Sequence, residues 1–390
     1  MEQNIEGNIV LAHGGAPTAV INASLYGSIR ALKSLGFRGK ILAARYGSKG
    51  LYHGDFIDLT NIGDEALENL KNTPGTAIGS SRFPLYEKEY AHIVDLLKEK
   101  QVRYVLFTGG NGSMDTLGHL TEEAKKKGVE LYCGGVPKTI DNDLGVTDHA
   151  PGFPSAANYV VQTVRDCIQD VKGLPIHVCV IEIMGRNAGW LTAASECAFD
   201  KDTSLPHLTY VPEIPFDEDC FLRDVKAKWE LGKGVIVCCS EGLKGKDGKP
   251  IAKPIYQTER ATYFGDVSSH LAQLIVQKLG IKSRSEKPGL IQRCSSALAS
   301  DLDHEEAILM GQLAAQAVLE KKTGFMVGIK RISSSPYRAE PILIPVKEVM
   351  MKERTFPLCY VKDGNTITQE YEDWLRPLLN PKKQFVSFLD

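Results

Sequence analysis

The stretch RYVLFTGGNGS, residues Arg103 to Ser113, is a strand-length apolar run that stops at two glycines, and a helix-periodic segment continues from it through Lys127. A short apolar run, a glycine turn and then a 3.6-residue period describe one strand–loop–helix unit. The same unit recurs outward in both directions. Asn8 to Ala12 (NIVLA) leads through HGGAPT (His13 to Thr18) into a helix from about Ala19 to Leu35, and Lys40 to Ala44 is strand-like again. Val178 to Ile183 (VCVIEI) runs into Met184-Gly185-Arg186 and another helix, and Gly234 to Ser240 (GVIVCCS) ends at Glu241-Gly242. Repetition of this kind predicts an α/β fold with mostly parallel sheets flanked by helices. In such sheets ligands bind at the carboxyl ends of the strands, where all of these loops fall.

With 390 residues the chain is too long for one ordinary core, and two or three domains are expected. A hydrophobic content of 43% and a charged content of 24% are ordinary for a globular protein, and a net charge of −2 gives no electrostatic case for a nucleic-acid partner or an anionic membrane. No apolar run reaches the roughly 18 residues of a membrane helix, and the opening MEQNIEGN lacks a basic, then apolar, leader pattern. The nine cysteines contain no CxxC pair, which reads as reduced thiols in a cytoplasmic protein. DGKP (Asp247 to Pro250) and KSRSEKP (Lys282 to Pro288) are turn-rich, and the proline-punctuated tail after Lys330 reads as a less regular segment wrapping back onto the body.

A second stretch, GGVPKTIDND (Gly134 to Asp143), carries the chemistry. An apolar run from Val129 to Cys133 stops at Gly134-Gly135, and Pro137 turns the residue before it away from helix. Lys138, Thr139, Asp141, Asn142 and Asp143 then supply an ammonium, a hydroxyl, two carboxylates and an amide. One carboxylate can accept the proton of an attacking hydroxyl, the other can help hold a divalent metal, and the lysine offsets phosphate charge. An Asx-rich turn would also account for TIDND alone. The glycine loops at Gly14-Gly15 and Gly109-Gly110 tilt the balance toward a phosphate site, since glycine lets backbone N–H groups approach a phosphate at a helix N-terminus. Arg186 and Glu241 stand at the ends of apolar strands, where a merely solvating charge is less expected. Arg82 in its GSSRFP loop, Arg284 and Arg293 are forked donors that together with them suit a site for two phosphorylated partners.

Taken in order and spacing, GGAPTAVINASL, GSSRFP, GGNGS, PKTIDND, IEIMGRNAGW, CSEG and IQR resemble the phosphofructokinase family from about Asn8 to Gly328. The resemblance implies two similar Rossmann-like halves with the active site in the cleft between them, residues 1–149 with 266–322 binding the phosphoryl donor and 150–265 with 323–390 the sugar phosphate. It implies Asp141 as the base for the sugar 1-hydroxyl, Arg186 and Lys138 on the transferring phosphoryl with Thr139 positioning it, and Asp143 with Asn111 at Mg²⁺. Met184, Gly185 and Glu241 would hold the sugar, with His177, Arg284 and Arg293 on its phosphate. Gly15, Arg82, Phe83, Gly110, Asn111, Gly112, Ser113 and Lys138 would face the donor, ATP or pyrophosphate. A homodimer or homotetramer with shared active sites is implied as well.

The chain departs from the family at four places. Ala16 stands where a further glycine is frequent, Asn111 replaces the aspartate of GGDG, Leu290 stands in for a histidine or tyrosine on the sugar phosphate, and His177 replaces an arginine. The donor signal is split as well. Pyrophosphate users carry aspartate where this chain has Gly112 and lysine where it has Lys138. An aspartate excludes the inner phosphate of a nucleotide, whereas a lysine suits any donor, so the expectation leans to ATP with Mg²⁺. For the acceptor, fructose 6-phosphate leads and a related ketose phosphate such as sedoheptulose 7-phosphate follows. A catalytically silent, effector-binding relative would be free to lose Asp141 and Arg186, and both are present. A nicotinamide oxidoreductase would need GxGxxG after a strand, which neither loop supplies.

Overall fold

The computed structural model describes residues 7–199, 205–257 and 262–389; the N-terminal hexapeptide read above lies outside them. In chain order the strands are β1 (Asn8–His13), β2 (Ile41–Ala44), β3 (Phe56–Asp58), β4 (Val102–Gly109), β5 (Tyr132–Pro137), β6 (Val178–Ile183), β7 (His207–Tyr210) and β8 (Val235–Ser240). They continue with β9 (Pro254–Gln257), β10 (Thr262–Phe264), β11 (Ser283–Glu286), β12 (Phe325–Ser334) and β13 (Tyr337–Pro345). The chain divides into two compact units, 1–155 with 293–354 and 156–292 with 355–390.

The first unit is built on a seven-stranded sheet in the order β13-β12-β5-β4-β1-β2-β3. The five strands β12, β5, β4, β1 and β2 pair in parallel, and antiparallel β13 and β3 close the two edges. Alternate residues serve opposite faces, as the pleat requires. Ile9, Leu11, Tyr104 and Leu106 join one core cluster, while Val10, Ala12, Val105 and Phe107 join the other. Both clusters are fully enclosed, which is why the strands read as continuous apolar runs rather than alternating ones. The second unit holds a four-stranded, all-parallel sheet, β11-β6-β8-β7, whose central strands β6 and β8 are buried along their whole length. The mostly parallel α/β architecture expected from the sequence is the one observed.

Three local expectations are corrected. The strand placed at Val129 to Cys133 starts at Tyr132 and runs through both glycines to Pro137. Neighbours on both faces pack closely against its two glycines. A Cβ on Gly134 would lie 2.7 Å from the Phe325 ring, and one on Gly135 2.5 Å from the Met114 sulfur. The tail after Lys330 is more regular than its prolines suggested, because β12 and β13 form a long antiparallel hairpin on the sheet edge. That hairpin also moves the division of the chain. Residues 323–354 belong to the first unit because β12 pairs with β5, and residues 266–292 to the second because β11 pairs with β6. No helix among the described residues is long and apolar enough to cross a membrane.

Candidate active site

In the first unit, β1, β4 and β5 are neighbours running in the same direction, so the loops leaving their carboxyl ends meet. They enclose a cavity of about 410 Å³ lined by Gly14 to Thr18, Gly110 to Ser113, Lys138 to Asp141, and Asp143, with Ser81, Arg82 and Phe83 at its wall. Close packing draws the first two loops together over Ser113. A Cβ on Gly14 or Gly109 would fall 2.1 or 2.0 Å from the Ser113 hydroxyl, so the fold demands glycine at both positions. Gly15 sits in the left-handed region at φ 74°, and Ser80 donates a hydrogen bond to its carbonyl at 2.6 Å. The adjoining bridge between Gly14 and Ser81 carries Arg82 and Phe83 to the cavity.

Gly112 differs from these glycines. It lies in the first turn of the helix Asn111–Lys126, and a Cβ there would meet nothing within 4 Å. Neither backbone geometry nor packing calls for glycine at 112. The helix N-terminus opens there too, so its unpaired N–H groups and dipole favour an anion.

Lys138 is 4% exposed and donates a hydrogen bond to the Ala16 carbonyl at 2.6 Å. Burial pushes its ammonium down to about 8, Asp141 and Asp143 pull it back up, and Arg293 and Arg82 add repulsion. Five of the expected site residues therefore share one electrostatic neighbourhood. Beneath Lys138, the buried His13 ring is held neutral, its pKa pushed down to about 3 by burial and by the lysine's charge.

Thr139 has a narrower role than expected. Its hydroxyl donates to Asp143 Oδ1 at 2.8 Å and accepts the Asp141 N–H at 3.0 Å, so it organises the loop that presents both carboxylates. Asn111 Nδ2 donates to the other oxygen of Asp143 at 2.9 Å. The remaining Asn111 oxygen is buried and has no hydrogen-bond partner, which leaves its lone pairs for a ligand. A hard divalent cation fits that oxygen and the Asp143 carboxylate. Mg²⁺ in particular takes few protein ligands and keeps waters and substrate phosphates for the rest. Consistent with so sparse a set, the described residues contain no group of three or more His, Cys, Asp or Glu that could hold a metal.

In the second unit, β6 and β8 are parallel neighbours, and the loops Met184-Gly185-Arg186 and Glu241-Gly242 leave their carboxyl ends side by side. The Glu241 N–H donates to the Ile183 carbonyl at 2.9 Å, and the Ser240 hydroxyl to that of Gly185 at 2.7 Å. Gly242 packs so closely on the Arg186 backbone that a Cβ would fall 1.7 Å from its carbonyl oxygen. These contacts fix the loop while Arg186 stays exposed and Glu241 half-buried. Gln292, in the IQR motif, lies buried, and its side-chain oxygen accepts the Met184 N–H at 3.1 Å. Nothing in its local sequence announces that contact.

The two arginines expected on a sugar phosphate belong to different units. Arg284 is exposed on the edge strand β11, whereas Arg293 lies in the first unit near Lys138. His177, just before β6, is only 3% exposed, and burial together with Arg284 lowers its pKa. Its Nδ1 is buried without a hydrogen-bond partner. Leu290 is 62% exposed.

The family model described as Phosphofructokinase matches residues 8–318. The chain is 38% identical over 386 residues to the pyrophosphate–fructose 6-phosphate 1-phosphotransferase of Rhodospirillum rubrum, covering 96% of this chain and 94% of that one. It is 36% identical over 384 residues to the enzyme of the same name from Xanthomonas campestris pv. campestris, covering 96% and 91%. The solved structure of a pyrophosphate-dependent phosphofructokinase from Nitrosospira multiformis superposes with a TM-score of 0.89 at 32% identity, covering 97% of this chain and 93% of that one.

Proposed function

The chain belongs to the phosphofructokinase family, and on that premise we propose that it moves a phosphoryl group from ATP to the 1-hydroxyl of fructose 6-phosphate, giving fructose 1,6-bisphosphate. The observation that carries this reading is the first-unit cavity, where Asp141, Asp143 and Lys138 line the same space as two glycine loops. Asp141 accepts the proton as the hydroxyl oxygen attacks the terminal phosphorus and the bond to the bridging oxygen breaks. Lys138 and Arg82 offset the donor's charge, and Arg186 stabilises the transferring phosphoryl. Asn111 and Asp143 would hold Mg²⁺, which when bound would offset the charge on the phosphate oxygens. Met184, Gly185 and Glu241 hold the sugar, with Arg284 and Arg293 on its phosphate. The exposed Arg284 suits a homo-oligomer in which one subunit completes a neighbour's site, as dimer or tetramer. None of the nine cysteines is in a disulfide, which suits a reducing cytoplasm.

Pyrophosphate is the second donor reading. It is favoured by Lys138, a buried cation beside two carboxylates, and by the names of the relatives. Gly112 speaks for ATP, because the fold has room for a side chain there and carries none. The test is a transfer assay that crosses ATP and pyrophosphate with fructose 6-phosphate and sedoheptulose 7-phosphate. Preferential turnover of ATP with fructose 6-phosphate supports the proposal. Turnover of pyrophosphate alone reverses the donor, and no transfer from either donor overturns the catalytic reading.

A further inference from the structure

The loop that follows Asp141 holds an unfavourable backbone. Asn142 and Val146 both lie in the left-handed region, at φ 53° and 66°. A β-branched residue there is a real outlier, and such geometry persists only when the surroundings impose it. Val146 is 53% exposed, so its own side-chain packing does not supply that constraint.

The far end of the loop is well anchored. Thr147 Oγ1 accepts the Ile329 N–H at 2.9 Å, the Asp148 N–H donates to the Ile329 carbonyl at 2.8 Å, and Arg331 holds the Asp148 carboxylate at 2.9 Å. At the near end, which carries Asp141 and Asp143, Thr139 Oγ1 accepts the Asp141 N–H and Asn111 Nδ2 donates to the Asp143 carbonyl at 3.3 Å, but it is Arg354 that ties this backbone to the anchored end. Arg354 donates to the Asn142 carbonyl from Nε at 3.1 Å and from one terminal nitrogen at 2.9 Å. Its terminal nitrogens also reach the carbonyls of Thr147 at 2.6 Å and Asp148 at 3.1 Å. The Arg354 N–H donates to the Asp143 carbonyl at 2.7 Å. The planar guanidinium thus ties the reactive end of the loop to its anchored end, which a lysine's single point charge cannot do.

Arg354 is itself held from behind. The Met351 N–H donates to Asp115 Oδ1 at 2.6 Å, and Met350 packs where a Cβ on Gly118 would lie 2.7 Å from its sulfur. Asp115 and Gly118 both belong to the helix that begins at Asn111. Loop, helix and the segment 350–354 therefore form one tied assembly within the first unit.

We propose that Arg354 is a positioning residue for phosphoryl transfer: it holds the Asp141 and Asp143 carboxylates in register with the reacting atoms without touching substrate. This rests on the function proposed above. Misplacement by about 1 Å can cost roughly 10²-fold in rate, so Arg354→Ala should lose about 10- to 100-fold in kcat with little change in KM for either substrate. Arg354→Lys, which keeps charge and bulk, should lose most of the same activity.

The test is steady-state kinetics and thermal unfolding on Arg354→Ala, Arg354→Lys and Arg354→Ala combined with Val146→Gly, with Asp141→Ser alongside. Glycine accepts a positive φ without strain, so Val146→Gly should return part of the kcat lost in Arg354→Ala. A purely structural role predicts instead that activity follows the folded fraction and that Arg354→Lys turns over normally. Full kcat in folded Arg354→Lys, or no kcat recovery from Val146→Gly, overturns the proposal. Asp141→Ser at wild-type turnover would instead overturn the underlying reading, which keeps the two failures distinct.

Discussion

The Asn111 amide donates a 2.9 Å hydrogen bond to the Asp143 carboxylate, and the amide oxygen is left buried without a partner. A neutral residue therefore both orients the one carboxylate expected at the metal and offers an oxygen beside it. Asn111→Asp would replace that hydrogen bond with two like charges in contact. The expected result is a lower melting temperature without Mg²⁺ and a lower Mg²⁺ concentration for half-maximal activity. Unfolding scans and activity titrations against Mg²⁺ check both; an unchanged Mg²⁺ requirement would remove Asn111 from the metal's surroundings.

Asp141 lines the cavity with its backbone N–H held by Thr139. Asp141→Ser should lower kcat by ~10²–10⁴-fold, the usual cost of losing a general base, while donor and sugar-phosphate affinities stay within a few-fold. Binding calorimetry beside turnover measurements separates the two effects. Near-normal turnover would show that the proton leaves by another route.

Gly112→Asp should fold normally, because a side chain there meets nothing within 4 Å. A change in stability of no more than ~0.5 kcal/mol is expected for such a position. Its effect should fall on the donor, with kcat/KM for ATP dropping by at least about 10²-fold through bulk and like-charge repulsion, and that for pyrophosphate dropping less. An unaltered preference would mean that donor choice is set away from this turn.

Lys138, pushed down to about 8, carries its charge at neutral pH and loses it as pH rises through that value. A polyanionic donor favours the charged form, so binding above pH 8 should take up a proton and weaken as pH climbs. Calorimetry with pyrophosphate at pH 8.5, in two buffers of different ionisation enthalpy, measures that uptake. It should vanish in Lys138→Met, and persistence there would assign the proton to another group.

His149 is fully buried, with Asp148 at 2.9 Å from Nδ1 and Glu306 at 2.6 Å from Nε2, and with Arg331 and Tyr337 completing the network. The carboxylates raise it to about 9 against the penalty of burial. Because the folded pKa lies above the unfolded one, its stabilisation is complete below about pH 6.5 and is lost as pH rises through 9. The amount is on the order of 3 kcal/mol. Melting temperatures from pH 6.5 to 9.5 should therefore fall more steeply for the wild type than for His149→Gln, and parallel curves would contradict the assignment.

The sequence by itself determined the alternation of strands, glycine loops and helices, and with it the parallel sheets and the face on which the chemistry gathers. Those features repeat within windows of some ten residues, so local pattern carries them. It also singled out GGNGS and PKTIDND, most of whose residues line one cavity. Tertiary contacts decided what no local pattern encodes. Gly134 and Gly135 read as a strand end, yet they pair with β4 and β12 inside β5, with Phe325 and Met114 packed against them. The Thr139 hydroxyl is spent on Asp143, His177 is enclosed, and Gln292 holds the Met184 backbone. Arg354, 213 positions after Asp141 by number, reached the active loop only because β12 and β13 fold back beside β5. Each of these depends on which distant residues meet across the packed sheet, and such meetings are set by burial and hydrogen bonding between segments rather than by the period of any one of them.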